Sequence, residues 1–521
     1  QDIVIVAMLR KLFLLGGLLL NTSRAIEIDV DDVDSIKAAA SIAAHDMVSY
    51  YRGNESGQIP GKLPEPPYFW WESGAMWGAL VDYWYYTGDT TYNDITSQGL
   101  LFQVGIDKDF NPQNESAEMG NDDQSFWGMA ALSAAENNFP NPTDPKAPSW
   151  LGLAQAVFNE QIARWDTTTC GGGLRWQVYQ ISGYNLKNSI SNGNLFNIAS
   201  RLARYTNDDH YAQWAAKVWD WMWAIGLIDE HYNVYDNSEA ANLNCTQIDH
   251  DQWSYNAGTM LMGASTMYNY TNGDPVWRNR TQGLVDMIHG GYFPTGGIMK
   301  DICEQGKCDT DQMSFKAYLS RWMGHATQMA PFTYDKSIAL LKSSAKAAAA
   351  QCTGKTYDGT TVKISGTACG LKWYLNGTWD GSDGVGQQMA ALEVFQAAMI
   401  QHVAIPLTNS TGGTSTSDPT AGHNTTGSTG ARLADATTAD KAGAWFLTGF
   451  VAVMSLWTCY FMWSSAFERN GTLKTVRRNE KSPMVLDLKG KSRAAPVGML
   501  SPVSEELEMR QPKYMGGNLI T

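Results

Sequence analysis

Six stretches of this sequence repeat one pattern, a polar or acidic start followed by a run of small and apolar residues. They run from Glu72 to Leu80, Asp123 to Ala131, Asn192 to Ser200, Gln252 to Met260, Ser314 to Trp322 and Gly386 to Val394. A helix that is apolar nearly all round has no face to offer water and belongs in the middle of a structure. Between them lie more amphipathic stretches, such as Tyr211 to Ile225 with Trp214, Trp219, Trp221 and Trp223. Six inner helices spaced roughly 50–70 residues apart, alternating with outer ones, describe an all-α fold, an (α/α)6 six-hairpin toroid over residues 26–404. In that arrangement the polar starts all face one end. A cleft there would collect Glu72, Asp123, Asn194, Gln252 and Gln387 from five hairpins. An irregular helical bundle without a shared cleft is the other arrangement the pattern permits.

One of the six starts carries two adjacent carboxylates, Asp122 and Asp123, in Gly120-Asn121-Asp122-Asp123-Gln124-Ser125-Phe126-Trp127-Gly128. An aspartate that opens a helix accepts the orphan N–H groups of the first turn. A second one beside it is repelled and has no such need. Enzymes that cleave sugar linkages use two carboxyl groups, one protonated and one ionised, and repulsion drives their pKa values apart. The rival reading is an acidic cap with a spare charge.

The formal charge of −14 argues against nucleic acid as a partner, because phosphate binding needs clustered Lys and Arg. With 44% hydrophobic residues, 20 Trp and 23 Tyr, a large core is available and neutral, hydroxyl-rich ligands fit better. From Met8 the chain reads as a basic start, an apolar run from Leu12 to Leu20 and a small-residue cleavage site, a signal peptide over 8–25. Six cysteines follow, Cys170, Cys245, Cys303, Cys308, Cys352 and Cys369, for which 15 pairings exist. Proximity favours Cys303–Cys308 and Cys352–Cys369, leaving Cys170–Cys245. Sequons at Asn54, Asn114, Asn244, Asn269, Asn279, Asn376, Asn409 and Asn424 agree with a secretory-pathway glycoprotein. After residue 404 the composition turns to Thr, Ser, Gly and Asn, expected as a flexible stalk over 405–441. Residues 442–467 are uncharged from Ala442 to Phe467 and long enough to cross the ~30 Å hydrocarbon core. Arg469, Lys474, Arg477, Arg478 and Lys481 then place the tail, 468–521, in the cytoplasm and the main domain outside the plasma membrane.

Four motifs in order, Phe69-Trp70-Trp71-Glu72-Ser73-Gly74, Gly120-Asn121-Asp122-Asp123-Gln124, Cys170-Gly171-Gly172-Gly173-Leu174-Arg175-Trp176 and His250-Asp251-Gln252-Trp253-Ser254-Tyr255-Asn256, resemble fungal glycoside hydrolase family 76, the endo-α-1,6-mannanases, and most of all its cell-wall Dfg/Dcw-type branch. The resemblance covers about residues 26 to 404. It implies the six-hairpin toroid, with a groove across one end and a retaining mechanism in which Asp122 is the nucleophile and Asp123 the general acid/base. It also implies a mannose-containing glycan as donor, either α-1,6-mannan or the core of a glycolipid (GPI) anchor, with wall β-glucan as acceptor where the enzyme transfers rather than hydrolyses. A lectin-like member that binds without turnover is the non-catalytic alternative.

Around the pair, Trp70, Trp71, Trp127, Trp176 and Trp253 are candidate sugar platforms, Trp71 and Trp176 foremost because they lie in motif loops, each with core packing as its rival role. Glu72, Asn194, Asp251, Gln252, Tyr255 and Asn256 are candidate partners for sugar hydroxyls, each with helix capping as its rival. Asp383, in a Gly-rich loop before the last inner helix, is a further candidate for sugar binding, with a simple turn as its rival role. Asp29, Asp31, Asp32 and Asp34 lack the spacing of a calcium loop and read as a helix start. Asp249-His250-Asp251 has no second histidine at a metal-binding offset, so neither a catalytic metal nor a cofactor is expected.

Overall fold

The computed structural model describes residues 25–422 except 295, 357–363 and 376, and a helical stretch within 445–460 without 447 and 459. The expected signal peptide and cytoplasmic tail lie outside the described residues, as does part of the expected membrane span. Among the described residues no helix is long and apolar enough to cross a membrane. The stretch that begins at 445 is apolar and exposed, with Trp445, Phe446, Phe450, Leu456 and Trp457 on its surface. It falls in a unit of its own, 433–521, separate from the unit 1–432 described below.

Among the described residues of this first unit, twelve helices alternate as outer and inner partners. The outer ones are α1 (Val33–Val48), α3 (Asn93–Phe102), α5 (Trp150–Ala163), α7 (Asp209–Ile225), α9 (Pro275–Tyr292) and α11 (Tyr334–Gln351). The inner ones are α2 (Trp70–Thr87), α4 (Asn121–Glu136), α6 (Ser189–Thr206), α8 (Ser254–Tyr270), α10 (Phe315–Met329) and α12 (Val385–Ala398), one for each repeated stretch. Each inner helix packs on the next, and α12 returns to α2, which closes the ring. Each of α3, α5, α7, α9 and α11 packs on the inner helix before it, while α1 packs on α12.

Local chemistry sets these boundaries. Asp32 caps α1 by accepting the Asp34 N–H at 3.0 Å, so the acidic run near residue 30 is a helix start. Asn188 caps α6 and Asp274 caps α9, the latter with Pro275 in the first turn. Small residues let the inner helices approach. A Cβ on Gly74 would lie 2.7 Å from the Trp127 ring, and Gly258 sits as tightly against Leu319 and Trp322. Toward the C-terminal ends of the inner helices the ring axis is filled by charge. Arg201 pairs with Glu136 at 2.6 Å, and Arg321 pairs with Glu393 at 2.6 Å and Asp82 at 2.9 Å, all buried. The cavity left beside them is about 10 Å³, so no sugar passes along the axis there.

Two features depart from an all-α expectation. A three-stranded antiparallel sheet, β1 (Leu186–Asn188), β2 (Asn237–Glu239) and β3 (Ile248–Asp249), ties the entry of α6 to the entry of α8. A second pair, β4 (Cys352–Lys355) and β5 (Ser365–Cys369), lies after α11. The three disulfides are Cys170–Cys245, Cys303–Cys308 and Cys352–Cys369.

The chain expected to leave as a stalk at residue 405 stays on the body to residue 422 as a strap. Leu407 N–H donates to the Glu136 carbonyl at 2.7 Å and Asn409 N–H to that of Tyr205 at 3.0 Å, capping the last turns of α4 and α6. Ser415 Oγ accepts the Leu151 N–H at 2.9 Å, serving the first turn of α5. The strap then follows α5, with Gln155 bonded to Ser417 and Asp418, and Asn159 bonded to Pro419 and Ala421. Its polar side chains satisfy helix ends, and that is why its composition resembles a linker.

Candidate active site

At the end of the ring where the inner helices start, α4 begins against the loop that carries Trp176. Asn121 N–H donates to the Trp176 carbonyl at 2.8 Å, and Asn121 Nδ2 to that of Arg175 at 2.9 Å. Arg164, at the end of α5, bonds both Asn121 Oδ1 and Gln124 Oε1, fixing the first turn from behind. The Trp176 loop is itself held. Buried Lys187 donates to the carbonyls of Asp166, Thr169 and Gly172 and pairs with Asp166 at 3.2 Å, while Asn192 on α6 bonds both backbone groups of Leu174. Gly173 has φ +97 and lies where a side chain would strike the Trp221 indole, so only glycine fits.

Asp122 and Asp123 are both half-buried on this frame. Asp123 Oδ2 accepts the Gly120 N–H at 2.7 Å, and Asp122 Oδ1 accepts from Ser191 Oγ on α6 at 3.3 Å. A Cβ on Gly120 would collide with Asp122 Oδ1 and come within 3.1 Å of Asp123 Oδ2 and 3.3 Å of Trp176 Nε1. Both carboxyls and the indole therefore converge on the space that glycine leaves. Burial, then the charge of Asp123, pushes Asp122 well above the usual carboxylate range, against the pull of Ser191. Burial pushes Asp123 up to about 6, with the Gly120 N–H opposing. Both carboxyls therefore hold their protons above the ordinary carboxylate range. Beside it, Trp71 donates from Nε1 to Asp311 Oδ1 at 3.0 Å and packs on Phe126 at 4.6 Å. Burial and the Asp123 charge push Asp311 up to about 7, although the Trp71 bond favours its ionised form.

A glycosyl hydrolase family 76 model matches residues 35–410. The chain belongs to glycosyl hydrolase family 76. It is 43% identical over 441 residues to the mannan endo-1,6-alpha-mannosidase DCW1 of Eremothecium gossypii, covering 84% of this chain and 94% of the relative. Among solved structures, Dfg5 from Chaetomium thermophilum in complex with glucosamine is 44% identical with a TM-score of 0.71, covering 77% of this chain and 98% of that one. The GH76A alpha-1,6-mannanase of Salegentibacter sp. HEL1_6 shares the fold at 20% identity and a TM-score of 0.55, covering 70% of this chain and 99% of that one.

Within this family 76 chain, the other expected sugar contacts divide by burial. Trp176 reaches the pair, and Trp71 flanks it. Trp127 does not: it is fully buried, stacked on Trp70 at 5.0 Å, and is core. Glu72 is also fully buried. It accepts the Phe69 N–H at 2.8 Å, and burial with the nearby Asp311 pushes it well above the usual range, so it caps α2 instead of meeting a sugar. Asn194 lies sealed in the α6–α8 seam, where it accepts from Thr259 Oγ1 at 2.9 Å. Asn256 is sealed as well, and its Nδ2 holds Asp236 at 3.1 Å. Asp251 is exposed, Gln252 is half-buried, and Tyr255 stacks on Phe315 at 3.8 Å. Asp383 accepts from the Tyr50 hydroxyl at 3.0 Å just before α12, which packs on α2 and is separated by it from the pair's helix α4.

Three residues at this end went unmarked in the sequence: Ser191, Asp236 and Asp311. Asp236 is half-buried, and burial pushes it up to about 6 against its bonds to Asn237 and Asn256. A signal existed for Asp311, which lies three residues before Ser314 in the lead-in to a repeated stretch.

Proposed function

We propose that this chain is a retaining glycosidase or transglycosylase of the cell surface that acts on α-mannosyl linkages. Asp122 attacks the anomeric carbon while Asp123 gives its proton to the departing oxygen, so the glycosidic C–O bond breaks as a glycosyl ester forms. Asp123, now a base, takes the proton of an acceptor hydroxyl, which attacks the same carbon and releases Asp122. The convergence of both carboxyls on Gly120 carries this reading. It keeps them closer than the about 6.5–9.5 Å that an inverting pair leaves for its water. Burial raises both carboxyls, and the charge of either one hinders loss of the other's proton, so the resting pair retains a shared proton. Positive charge growing on the anomeric carbon beside Asp122 favours the ionised form there and leaves the proton with Asp123.

The donor we favour is the mannose core of a GPI anchor and the acceptor a β-glucan hydroxyl, so that anchored proteins pass from membrane to wall. A signal peptide at 8–25 and a membrane span at 442–467 would hold the enzyme where both substrates meet. Simple hydrolysis of α-1,6-mannan is the second reading, favoured by the relative's name as a mannan endo-1,6-alpha-mannosidase. The test incubates the full chain with a labelled anchor glycan or an α-1,6-mannooligosaccharide, with and without β-glucan oligosaccharides, and follows products by mass spectrometry. A donor–glucan adduct absent with Asp122→Asn supports transfer. Free mannosyl product whatever the acceptor makes the enzyme a hydrolase, and no product from either donor removes the catalytic reading.

A further inference from the structure

On the outer wall, between α7 and α9, lies a pocket of about 470 Å³ lined by Trp219, Trp223, Tyr232, Val276, Asn279 and Arg280. Its size falls in the about 300–1,000 Å³ range of small-ligand sites. Trp223 is 40% and Val276 53% exposed, an apolar patch open to water. The Trp223 and Tyr232 rings stand 5.6 Å apart, and Arg280 pairs with Asp220 at 2.8 Å at the rim. Aromatic faces beside a fork of donors and a carboxylate suit a pyranose, whose C–H face packs on a ring while its hydroxyls bond the polar rim.

Asn279 identifies the sugar. It opens the sequon Asn279-Arg280-Thr281, is exposed, and stands one helical turn from Val276 on the same face of α9. Three other sequon side chains make bonds within the fold. Asn244 accepts from the Cys170 N–H, Asn269 accepts from Arg204 Nε at 2.9 Å, and Asn409 donates to the Thr206 carbonyl at 3.1 Å. Asn279 has no such bond in the described structure.

We propose that Asn279 carries an N-linked glycan whose inner sugars lie in the Trp223–Tyr232 pocket, so that the chain covers its own apolar patch. This rests on the secretory route proposed above. A sugar tethered at the rim has an effective concentration of about mM, enough for a weak contact to persist. Thr281 is fully buried, so the sequon is readable only before α9 packs, and attachment precedes folding.

The full chain, expressed in a secretory eukaryotic host, is examined by glycopeptide mass spectrometry before and after timed endoglycosidase treatment of the folded protein. Asn279 should be occupied, and its glycan released about tenfold more slowly than that on exposed Asn54, because a docked sugar is accessible only for a fraction of the time. Trp223→Ala should bring the two rates together. Asn279→Gln should keep enzymatic activity and bind more of an apolar fluorescent dye. Equal release in the parent chain, or a bare Asn279 beside an occupied Asn54, overturns the proposal while leaving the secretory route standing. Bare sequons throughout overturn both.

Discussion

Gly120 does its work by lacking a side chain. Because a Cβ there would collide with Asp122 Oδ1, Gly120→Ala should lower kcat about 100-fold while the circular dichroism spectrum is unchanged. Asp122→Asn and Asp123→Asn should each cost about 10²–10⁴-fold in kcat, measured on the same oligosaccharide. The pair also sets an acid limit. Below the value of about 6 for Asp123 both carboxyls hold protons and no nucleophile exists. The kcat/KM should therefore rise with pH through that value, about tenfold per unit below it; a flat profile from pH 4 to 7 would remove the pair from catalysis. The adjacent aspartates stood out as candidates because two charges at one helix start exceed what a cap needs. The tryptophans were not: Trp127 and Trp176 look alike in sequence, and only packing puts Trp127 in the core and Trp176 beside the pair. Trp127→Ala should cost about 3–5 kcal/mol in denaturant unfolding, whereas Trp176→Ala should raise KM and leave stability nearly unchanged.

The inner helices were legible as elements because an apolar helix with no wet face repeats six times, although that pattern alone also permits an irregular bundle. The short sheets were not, since β1 to β3 are too short to show a period and draw their order from the α6 and α8 entries. The strap was misread because Ser, Thr and Asn suit a linker and a set of helix caps equally well. A chain ending at residue 404 would leave the Glu136 and Tyr205 carbonyls and the Leu151 N–H without these partners. It should melt below a chain ending at 422 when the two are compared by scanning calorimetry. The charged plug is likewise invisible to pattern, because Arg201 and Arg321 find their partners on other helices. Arg321→Met strands Asp82 and Glu393 in the core and should cost about 3–5 kcal/mol, read from urea unfolding.

At the scale of the whole molecule, folding buries acids faster than it pairs them. Asp109, Asp236 and Asp301 are each pushed up to about 6, chiefly by burial. Their folded forms hold protons that the unfolded chain has released, so the stability they contribute is present below about pH 4 and lost as pH rises through about 6. The melting temperature should fall by several degrees between pH 5 and pH 8 at constant ionic strength; a rise over that interval would contradict these burial effects. The ring owes its closure to the return of α12 to α2, and the site to six helix starts facing one way. The strap adds a mechanical property. Tension drawn through the C-terminal side of the chain reaches Asn159 first, then Gln155, and only afterwards the ring. The bonds along α5 would yield one amide at a time, a fuse that spends its length before any inner helix feels the load.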